Sequence, residues 1–296
     1  MMKNLLIVGS GDVARRAIPW LAQRFRVLAV TRRGDSCAEL RALGAVPLVA
    51  DLDDSRSLQR LAGLADAVLH FAPPPERGRQ DMRTARLLAA LACRPSLPQR
   101  LVYISTTGVY GDCCGALVDE TRKCRPKTDR ARRRVDAEIR LRRFGARTAT
   151  RVSILRAPGI YAAERLPVAR LQRGEPVLVP EEDVYTNHIH ADDLARLASL
   201  ALFRGRSGRV YNAVDDTCMK MGDYFCLAAD IFGLPRPVRL TRSQLAEQVS
   251  PMALSFMSES RRLDNARIRK DLRVALRYPT VRDGLLAARD CGAAAG

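Results

Sequence analysis

The stretch LLIVGSGDVA, residues 5–14, decides the fold of this chain. Its four consecutive apolar residues predict a strand buried on both faces, and the glycines after them predict a tight turn into a helix. The turn fits the pattern G-x-G-x-x-G/A, in which the helix N-terminus offers free N–H groups to a pyrophosphate. A turn that only packs helix on strand is the alternative. The candidate cofactor-binding residues here are Gly9, Gly11, Asp12, Val13 and Ala14.

The remainder of the first half alternates short apolar runs with helical patterns, which is typical of a parallel sheet covered by helices. We predict further strands over residues 26–30, 46–49, 67–71, 101–105 and 150–155. Helices are predicted over residues 12–25, 37–43, 82–93 and 128–144, and from an N-cap at Ser55 to Leu64. In the helix over residues 128–144, Ala131, Val135 and Ile139 are expected to form the apolar stripe.

These patterns predict an α/β protein with a doubly wound parallel sheet, the Rossmann arrangement, and a smaller C-terminal lobe. We expect residues 1–160 to form an NAD(P)-binding domain to which residues 186–215 return. Residues 161–185 and 216–296 are expected to form the substrate-binding lobe.

Composition narrows the functional classes. The 296 residues are 47% hydrophobic and 28% charged, as in globular proteins, and no apolar run approaches a membrane span. We therefore expect a cytoplasmic protein with no membrane contact. The net charge is +18, but only five of the 50 Lys and Arg residues are Lys, and the Arg residues are spread along the chain. This bias indicates coding composition, so we do not expect nucleic-acid binding, although residues 122–134 form a basic cluster.

The eight cysteines are expected to be free thiols, because the chain is long and their spacing is not that of a metal site. No metal is expected. The amphipathic helices are compatible with a homodimer, and no pattern specifies one.

The end of the second strand indicates the cofactor. Thr31-Arg32-Arg33 stands where an acidic residue would bind the ribose 2′-hydroxyl of NAD. Because arginine accommodates a 2′-phosphate, Arg32 and Arg33 predict that NADP is preferred over NAD. The general abundance of arginine is the competing explanation.

Several motifs recur in a specific order along the chain. They are DLD at 51–53, HFA at 70–72, STTGVYG at 105–111, RAPGIY at 156–161, HIHADD at 188–193 and VYN at 210–212. Through them the chain resembles the NAD-dependent epimerase/dehydratase family of extended short-chain dehydrogenases/reductases. Its glycine loop is one residue shorter than usual, as in atypical members. The resemblance implies cofactor contacts by Asp51, Leu52, Phe71, Ala72 and Pro158.

The chain departs from this family at the active site. The family carries a Tyr-x-x-x-Lys pair on the helix after the fifth strand. One register places Arg130 and Arg134 there, and the other places Thr128 and Arg132, so neither supplies a tyrosine. Arginine cannot act as an acid or base, but Arg130 could clamp an anionic group and Arg134 could hold ribose or phosphate. A merely solvated arginine face is the alternative.

Other side chains near the predicted site are weaker candidates. Thr106 matches the family's substrate-polarising hydroxyl and is our third catalytic candidate. Tyr110 and Tyr161 could stand in for the missing tyrosine but are more often structural, and His188 is expected to fix a loop rather than carry a proton.

Two functions remain open at this stage. The first is an epimerase/dehydratase-like or reductase-like enzyme with altered chemistry, acting on a nucleotide sugar or another anionic carbonyl or hydroxyl compound. The second is a non-catalytic NAD(P)-binding sensor or scaffold, which the missing tyrosine favours. A nucleic-acid-binding function rests on charge alone.

Overall fold

The computed structural model describes residues 2–248, 254 and 257–293. Seven parallel strands form the central sheet in the order β7-β6-β5-β4-β1-β2-β3. The strands are β1 (Asn4–Val8), β2 (Arg26–Thr31), β3 (Ala45–Val49), β4 (Ala67–His70), β5 (Arg100–Thr106), β6 (Arg151–Ala157) and β7 (Arg209–Asn212). This is the Rossmann order with one strand added, so the predicted fold class is confirmed.

The central position of β1 explains its unbroken apolar sequence. It pairs with β2 on one side and β4 on the other, with Leu5 opposite Val27 and Ala67. Leu5 and Ile7 join the core on one face of the sheet, and residues 6 and 8 join the core on the other face. A strand covered on both faces cannot alternate apolar and polar residues.

Helices cover both faces of the sheet and build the C-terminal lobe. In chain order they are α1 (Asp12–Ala22), α2 (Cys37–Ala42), α3 (Ser55–Leu58), α4 (Met82–Ala92), α5 (Asp129–Thr148), α6 (Val168–Gln172), α7 (Ala191–Arg204), α8 (Met221–Phe232), α9 (Arg242–Ala246), α10 (Ala266–Leu272) and α11 (Val281–Ala293).

Two local predictions about helices were wrong. The N-cap of α3 is Asp54, whose carboxylate accepts from the Arg56 N–H, and a 3-10 turn over Gln59–Leu61 replaces the rest of the predicted helix. In α5, Ala131 is buried and Val135 is half-buried as expected, but Ile139 is 42% exposed, and Ala137, Leu141 and Phe144 complete the buried side. The stripe was misassigned because the side of α5 that faces the sheet also holds buried charged residues, which hide it from an apolar pattern.

Four short strand pairs join segments outside the central sheet to one another. Gly159–Tyr161 pairs with His188–His190, and Leu117–Val118 pairs with Arg262–Leu263. The other two pairs are Val177–Leu178 with Arg239–Leu240 and Tyr185–Thr186 with Met219–Lys220. A separate apolar cluster that includes Tyr161, Phe225 and Leu285 forms the core of this part of the molecule. Within the described ranges, no helix is long and apolar enough to cross a membrane.

Candidate active site

The predicted site residues follow the carboxyl ends of the central strands. Gly9 comes after β1, Arg32 after β2, Asp51 after β3, Ala72 after β4 and Pro158 after β6, while Thr106 is the last residue of β5. Parallel α/β sheets bind their ligands at this edge. Two cavities open there, and nine of the fifteen predicted site residues line one or the other.

Gly9 and Gly11 have different surroundings. Gly9 has φ +95°, and a Cβ built on it would lie 2.5 Å from the Ala72 backbone nitrogen, so β1 and β4 approach too closely for any side chain. Gly11 has an ordinary φ of −79°, and a Cβ there would meet nothing within 4 Å. Gly11 is also the N-cap of α1 and supplies no side-chain acceptor, so the first N–H groups of the helix face open space.

Asp12, the first residue of α1, has its charge balanced by arginine. Its Oδ1 accepts from Arg16 Nε at 2.8 Å, and its Oδ2 lies 2.5 Å from an Arg165 guanidinium nitrogen. Arg16 also contacts Glu164 and Asp192, at 2.5 and 2.7 Å. This cluster of three carboxylates and two guanidinium groups ties α1 to the segment after β6 and to α7, and each oxygen of the Asp12 carboxylate is engaged by an arginine.

The smaller cavity, of about 220 Å³, lies at the ends of β1 to β4. It is lined by Gly9, Arg32, Arg33, Asp51, Leu52 and Ala72, together with Arg83 and others. Phe71 is half-buried beside it and donates its backbone N–H to the Val8 carbonyl, while Val13 and Ala14 pack into the core beneath α1. The cavity therefore unites six of the predicted cofactor residues.

Arg83, on α4, was missed by the sequence analysis. Its guanidinium contacts both carboxylate oxygens of Asp53 at 2.5 to 3.0 Å, and this contact holds the pKa of Asp53 below its usual range. No pattern in the sequence marks it, because α4 and the loop after β3 meet only through the fold. Arg32 and Arg33 are exposed and reach the same cavity from the end of β2.

The larger cavity, of about 930 Å³, lies beyond the ends of β5 and β6. Thr106, Arg130 and Pro158 line it, so it unites two of the three catalytic candidates with the residue expected near the nicotinamide. Among the described lining residues, four are arginine and one, Glu259, is acidic. The arginines are Arg130, Arg165, Arg170 and Arg261.

The two α5 arginines have different surroundings, although they are one turn apart. Arg130 lines the cavity, where burial and the neighbouring Arg134 lower its pKa. Arg134 instead donates to the Tyr103 hydroxyl at 2.9 Å and to the Ile104 carbonyl at 2.8 Å, just before Thr106. In the alternative register, Thr128 caps the helix and Arg132 pairs with Asp129 on the outer side.

A buried ion pair fixes α5 against the sheet below the cavity. Glu138 binds Arg156 at 2.7 Å, and each side chain is only 4% exposed. Glu138 also accepts from Ser105, the neighbour of Thr106, at 2.7 Å. These contacts hold the end of β5, the middle of α5 and the end of β6 in one geometry.

The candidate tyrosines are engaged elsewhere. Tyr110 is buried outside the large cavity and donates to Asn212 at 2.7 Å, and burial raises its pKa to about 12. Tyr161 lines the cavity, but its hydroxyl donates to the Thr280 carbonyl and burial raises its pKa far above the usual value. Tyr224 also lines the cavity, and burial raises its pKa as well.

His188, which we expected to fix a loop, is a lining residue of the large cavity. It lies in a short strand, its ring lines the large cavity, and its Nδ1 is buried without a hydrogen-bond partner among the described residues. The Tyr224 ring lies 4.4 Å from it, centroid to centroid. Burial lowers the pKa of His188 to about 4, so the imidazole is neutral near pH 7.

The C-terminal lobe supplies residues that the sequence analysis also missed. Glu259 pairs with Arg261 at 2.8 Å, and Arg261 donates to the Gly111 carbonyl at 2.8 Å. The Ser260 N–H donates to Asp112 at 2.8 Å. These bonds bring residues 259–261 to the loop after Thr106, about 150 residues away in sequence, which no local pattern could indicate.

Over residues 2–248, 254 and 257–293, no group of His, Cys, Asp or Glu side chains has the arrangement of a metal site. Seven cysteines in these ranges are free thiols. The polar groups that line the two cavities include guanidinium, hydroxyl, imidazole and carboxylate groups.

The sequence of this chain matches a known protein family. The model of the NAD dependent epimerase/dehydratase family matches residues 6–213. The chain belongs to this family. Membership gives the cofactor class, NAD(P). It also accounts for the glycine turn and for the cavities at the carboxyl edge of the seven-stranded sheet.

This epimerase/dehydratase family member is similar to two proteins whose names state no activity. Protein YeeZ of Escherichia coli K12 is 28% identical over 193 residues, which cover 64% of this chain and 66% of that protein, just under two thirds. A functionally unknown conserved protein from Silicibacter pomeroyi is 31% identical, with a TM-score of 0.82 over 98% of this chain and 99% of that one.

More distant structures of epimerases and dehydratases share the fold. UDP-glucose 4-epimerase of Thermotoga maritima, solved with UDP-glucose, is 18% identical, with a TM-score of 0.80 over 99% of each chain. The DesIV dTDP-glucose 4,6-dehydratase double mutant of Streptomyces venezuelae, solved with NAD, is 20% identical, with a TM-score of 0.77 over 98% of this chain and 96% of that one.

The residues present fit the family's cofactor. The uncapped N-terminus of α1 offers N–H groups, and the missing side chain at Gly11 leaves that position open. The small cavity lies on one side, at β2 and β3, and the large cavity lies on the other side, at β5 and β6. A dinucleotide would need these three subsites in this order.

Proposed function

We propose that this chain is an NAD(P)-dependent enzyme that moves a hydride at a carbon bearing a hydroxyl or carbonyl group in an anionic substrate, such as a nucleotide sugar. The observation that carries the proposal is the pair of cavities at one sheet edge, separated by the uncapped helix α1. When bound, the nicotinamide supplies a carbon that accepts or donates the hydride. The protein binds and orients the substrate beside it.

Specific residues would hold the cofactor. The N–H groups of Asp12 and Val13 and the open position at Gly11 would receive the pyrophosphate. Asp51 and Leu52, in the small cavity, would face the adenosine. Pro158 would lie beside the nicotinamide, at the entrance to the large cavity.

The small cavity supports NADP as the preferred form. Arg32 and Arg33 are exposed at its edge, and β2 ends without an acidic residue that would select a free 2′-hydroxyl. A charge-assisted contact contributes roughly 1.5–3 kcal/mol, which corresponds to at least about tenfold tighter binding of NADPH than of NADH.

Titration with NADPH and NADH, followed by nicotinamide fluorescence at moderate salt, tests this preference. We expect Arg32→Ala combined with Arg33→Ala to weaken NADPH binding at least tenfold and to leave NADH binding nearly unchanged. Arg147→Ala, at an exposed position near the end of α5, is the matched control. Equal affinities of the wild type for the two cofactors would refute the preference.

The large cavity supports an anionic substrate. Its four lining arginines face one lining carboxylate, and guanidinium groups bind phosphates and carboxylates by paired hydrogen bonds. The Thermotoga epimerase binds UDP-glucose in its solved structure, so nucleoside diphosphate sugars are the first compounds to test. We expect turnover of anionic substrates to fall as the salt concentration rises.

Thr106 would orient the reacting oxygen. It ends β5, is half-buried, and lines the cavity beside Thr107 and Gly108. We expect Thr106→Ala to lower kcat without changing NADPH affinity, and Thr106→Ser to retain most of the activity because the hydroxyl remains. Unchanged turnover of Thr106→Ala would remove Thr106 from the reaction.

A second candidate function is cofactor binding without catalysis, as a sensor or scaffold. The absence of a tyrosine from the 20 residues of α5 supports it. It predicts tight NADPH binding and no consumption of NADPH or NADP+ across a panel of nucleotide sugars and anionic carbonyl compounds. Steady turnover of any of these would exclude it.

A further inference from the structure

His188 is a polar side chain of the large cavity that the proposed function does not use. His188 is 6% exposed, lines the cavity, and has a buried Nδ1 without a partner among the described residues. A buried polar group without a hydrogen bond costs about 1–3 kcal/mol, so a purely structural histidine would normally be bonded. His190, two residues later, shows that pattern, because its Nδ1 accepts from the Asp192 N–H at the start of α7.

Strand register brings His188 to the region where hydride transfer is expected. Thr106 pairs with Ala157 across β5 and β6, and His188 pairs with Gly159 in the short strand that follows Pro158. Paired residues on neighbouring strands lie roughly 5 Å apart, and two residues along a strand span roughly 7 Å. His188 and Thr106 therefore flank the segment around Pro158, and both face the same cavity.

Among the other ionisable side chains in this cavity, Tyr161 and Glu259 are committed to protein contacts. Tyr161 donates to Thr280, and its ring fills the space where a side chain at Gly284 would lie, 2.4 Å from the built Cβ. Glu259 is paired with Arg261. Tyr185 packs against Gly115, with ring atoms 3.3 and 3.4 Å from its built Cβ.

We propose that His188 accepts the substrate's hydroxyl proton during hydride transfer and so takes the place of the tyrosine that α5 lacks. The proposal rests on the proposed function. In the oxidation direction, the C–H bond breaks and its electron pair leaves as a hydride for the oxidised nicotinamide. The O–H bond breaks, its proton passes to an imidazole nitrogen of His188, and the C–O bond becomes a carbonyl. Reduction returns both.

Burial has two effects on His188. It lowers the pKa of the imidazole to about 4, which leaves the ring neutral with a nitrogen lone pair available, and it disfavours the protonated ring, so the anionic group of a bound substrate has to stabilise the imidazolium. The groups packed around it are the phenols of Tyr161 and Tyr224, both with raised pKa values, and Asp215, whose backbone N–H donates to the His188 carbonyl. No hydrogen bond within the described part of the chain holds the ring's Nδ1, so protonation of the ring breaks no protein contact at that atom.

The first test compares His188→Gln with His190→Asn, using NADP+ and UDP-glucose or another alcohol that the wild type oxidises. Glutamine still forms hydrogen bonds but accepts no proton, and we expect kcat to fall 10²- to 10⁴-fold. NADPH affinity, measured by fluorescence, should change less than twofold, which excludes loss of the cofactor. The His190→Asn control keeps a capping side chain and should keep its activity.

The second test is chemical rescue of His188→Ala. Added imidazole should restore turnover in proportion to the concentration of its neutral form, so rescue at a fixed total concentration should rise as the pH rises through about 7. A histidine that only packs would not give this dependence. Activity of His188→Gln within threefold of the wild type, or no rescue of His188→Ala, overturns the proposal. Absence of turnover by the wild type itself overturns the proposed function, and this proposal with it.

Discussion

The Asp215→Asn variant should be less stable than the wild type at acidic pH and more stable than the wild type at alkaline pH. Asp215 is 3% exposed, its Oδ1 accepts from the Thr217 N–H at 2.9 Å, and its Oδ2 is buried without a partner among the described residues. Burial, reinforced by the charges of Asp216 and Asp193, raises its pKa to about 7.

The magnitude follows from the distance between the two pKa values. The unfolded chain has the ordinary aspartate pKa of 3.8, whereas folded Asp215 has a pKa of about 7. At pH values above about 7, the ionised carboxylate therefore lowers the free energy of unfolding by about 4 kcal/mol. Below pH 4 this loss is absent. Because the folded pKa is raised, the wild type loses stability steadily as the pH rises from 4 to 7.

The amide side chain of the Asp215→Asn variant cannot ionise, so its contribution is constant with pH. Its carbonyl oxygen can keep the bond from the Thr217 N–H, but its NH2 group takes the position of the unpartnered carboxylate oxygen and costs about 1–2 kcal/mol. We expect Asp215→Asn to be less stable than the wild type at pH 4.5 and more stable, by about 2 kcal/mol, at pH 8.5.

Urea unfolding at half-unit pH steps, followed by circular dichroism, measures the difference. The buried histidines titrate in both proteins, so their effects cancel when the two curves are subtracted. Asp230→Asn is the control: it is exposed, and Arg236 holds its pKa below the usual range, so its stability difference should stay constant above pH 5. A constant difference for Asp215→Asn as well would refute the reasoning.

Two further changes test the packing around the site. Gly9→Ala would place a methyl group 2.5 Å from the Ala72 nitrogen at φ +95°, and we expect the free energy of unfolding in urea to fall by about 2–4 kcal/mol. A methyl group at Gly11 would contact nothing, so Gly11→Ala should keep the stability and weaken NADPH binding in the fluorescence titration. Glu138→Gln leaves the Arg156 guanidinium buried without its counter-charge, and we expect a loss of about 3–5 kcal/mol in the same unfolding assay, whereas a loss below about 1 kcal/mol would contradict burial of the pair.

Predictions from the sequence were correct for elements that a local pattern of residues determines. The apolar run and the glycines of residues 5–14 located β1, the turn and α1, because neighbouring residues alone determine such an element. Thr106 and Pro158, which the family resemblance indicated, line the large cavity.

Predictions from the sequence failed where charges or distant segments decide the structure. Ile139 was placed on the buried side of α5, since the pattern could not reveal that Glu138 is buried by its pairing with Arg156. Tertiary contacts bring Arg83 to the small cavity and Glu259 to the large cavity, and the spacing of residues in the sequence does not reveal such contacts.

The attachment of residues 259–263 to the loop after Thr106 limits how the molecule can be divided. Ser260 bonds to the loop through its backbone N–H and carbonyl, and Arg262–Leu263 completes a strand pair with Leu117–Val118. A fragment that ends near residue 160 would lose these partners and leave their backbone groups exposed. A chimaera that joins this C-terminal lobe to a different dinucleotide-binding half must therefore also contain residues 111–118, because the lobe and this loop hold each other in place.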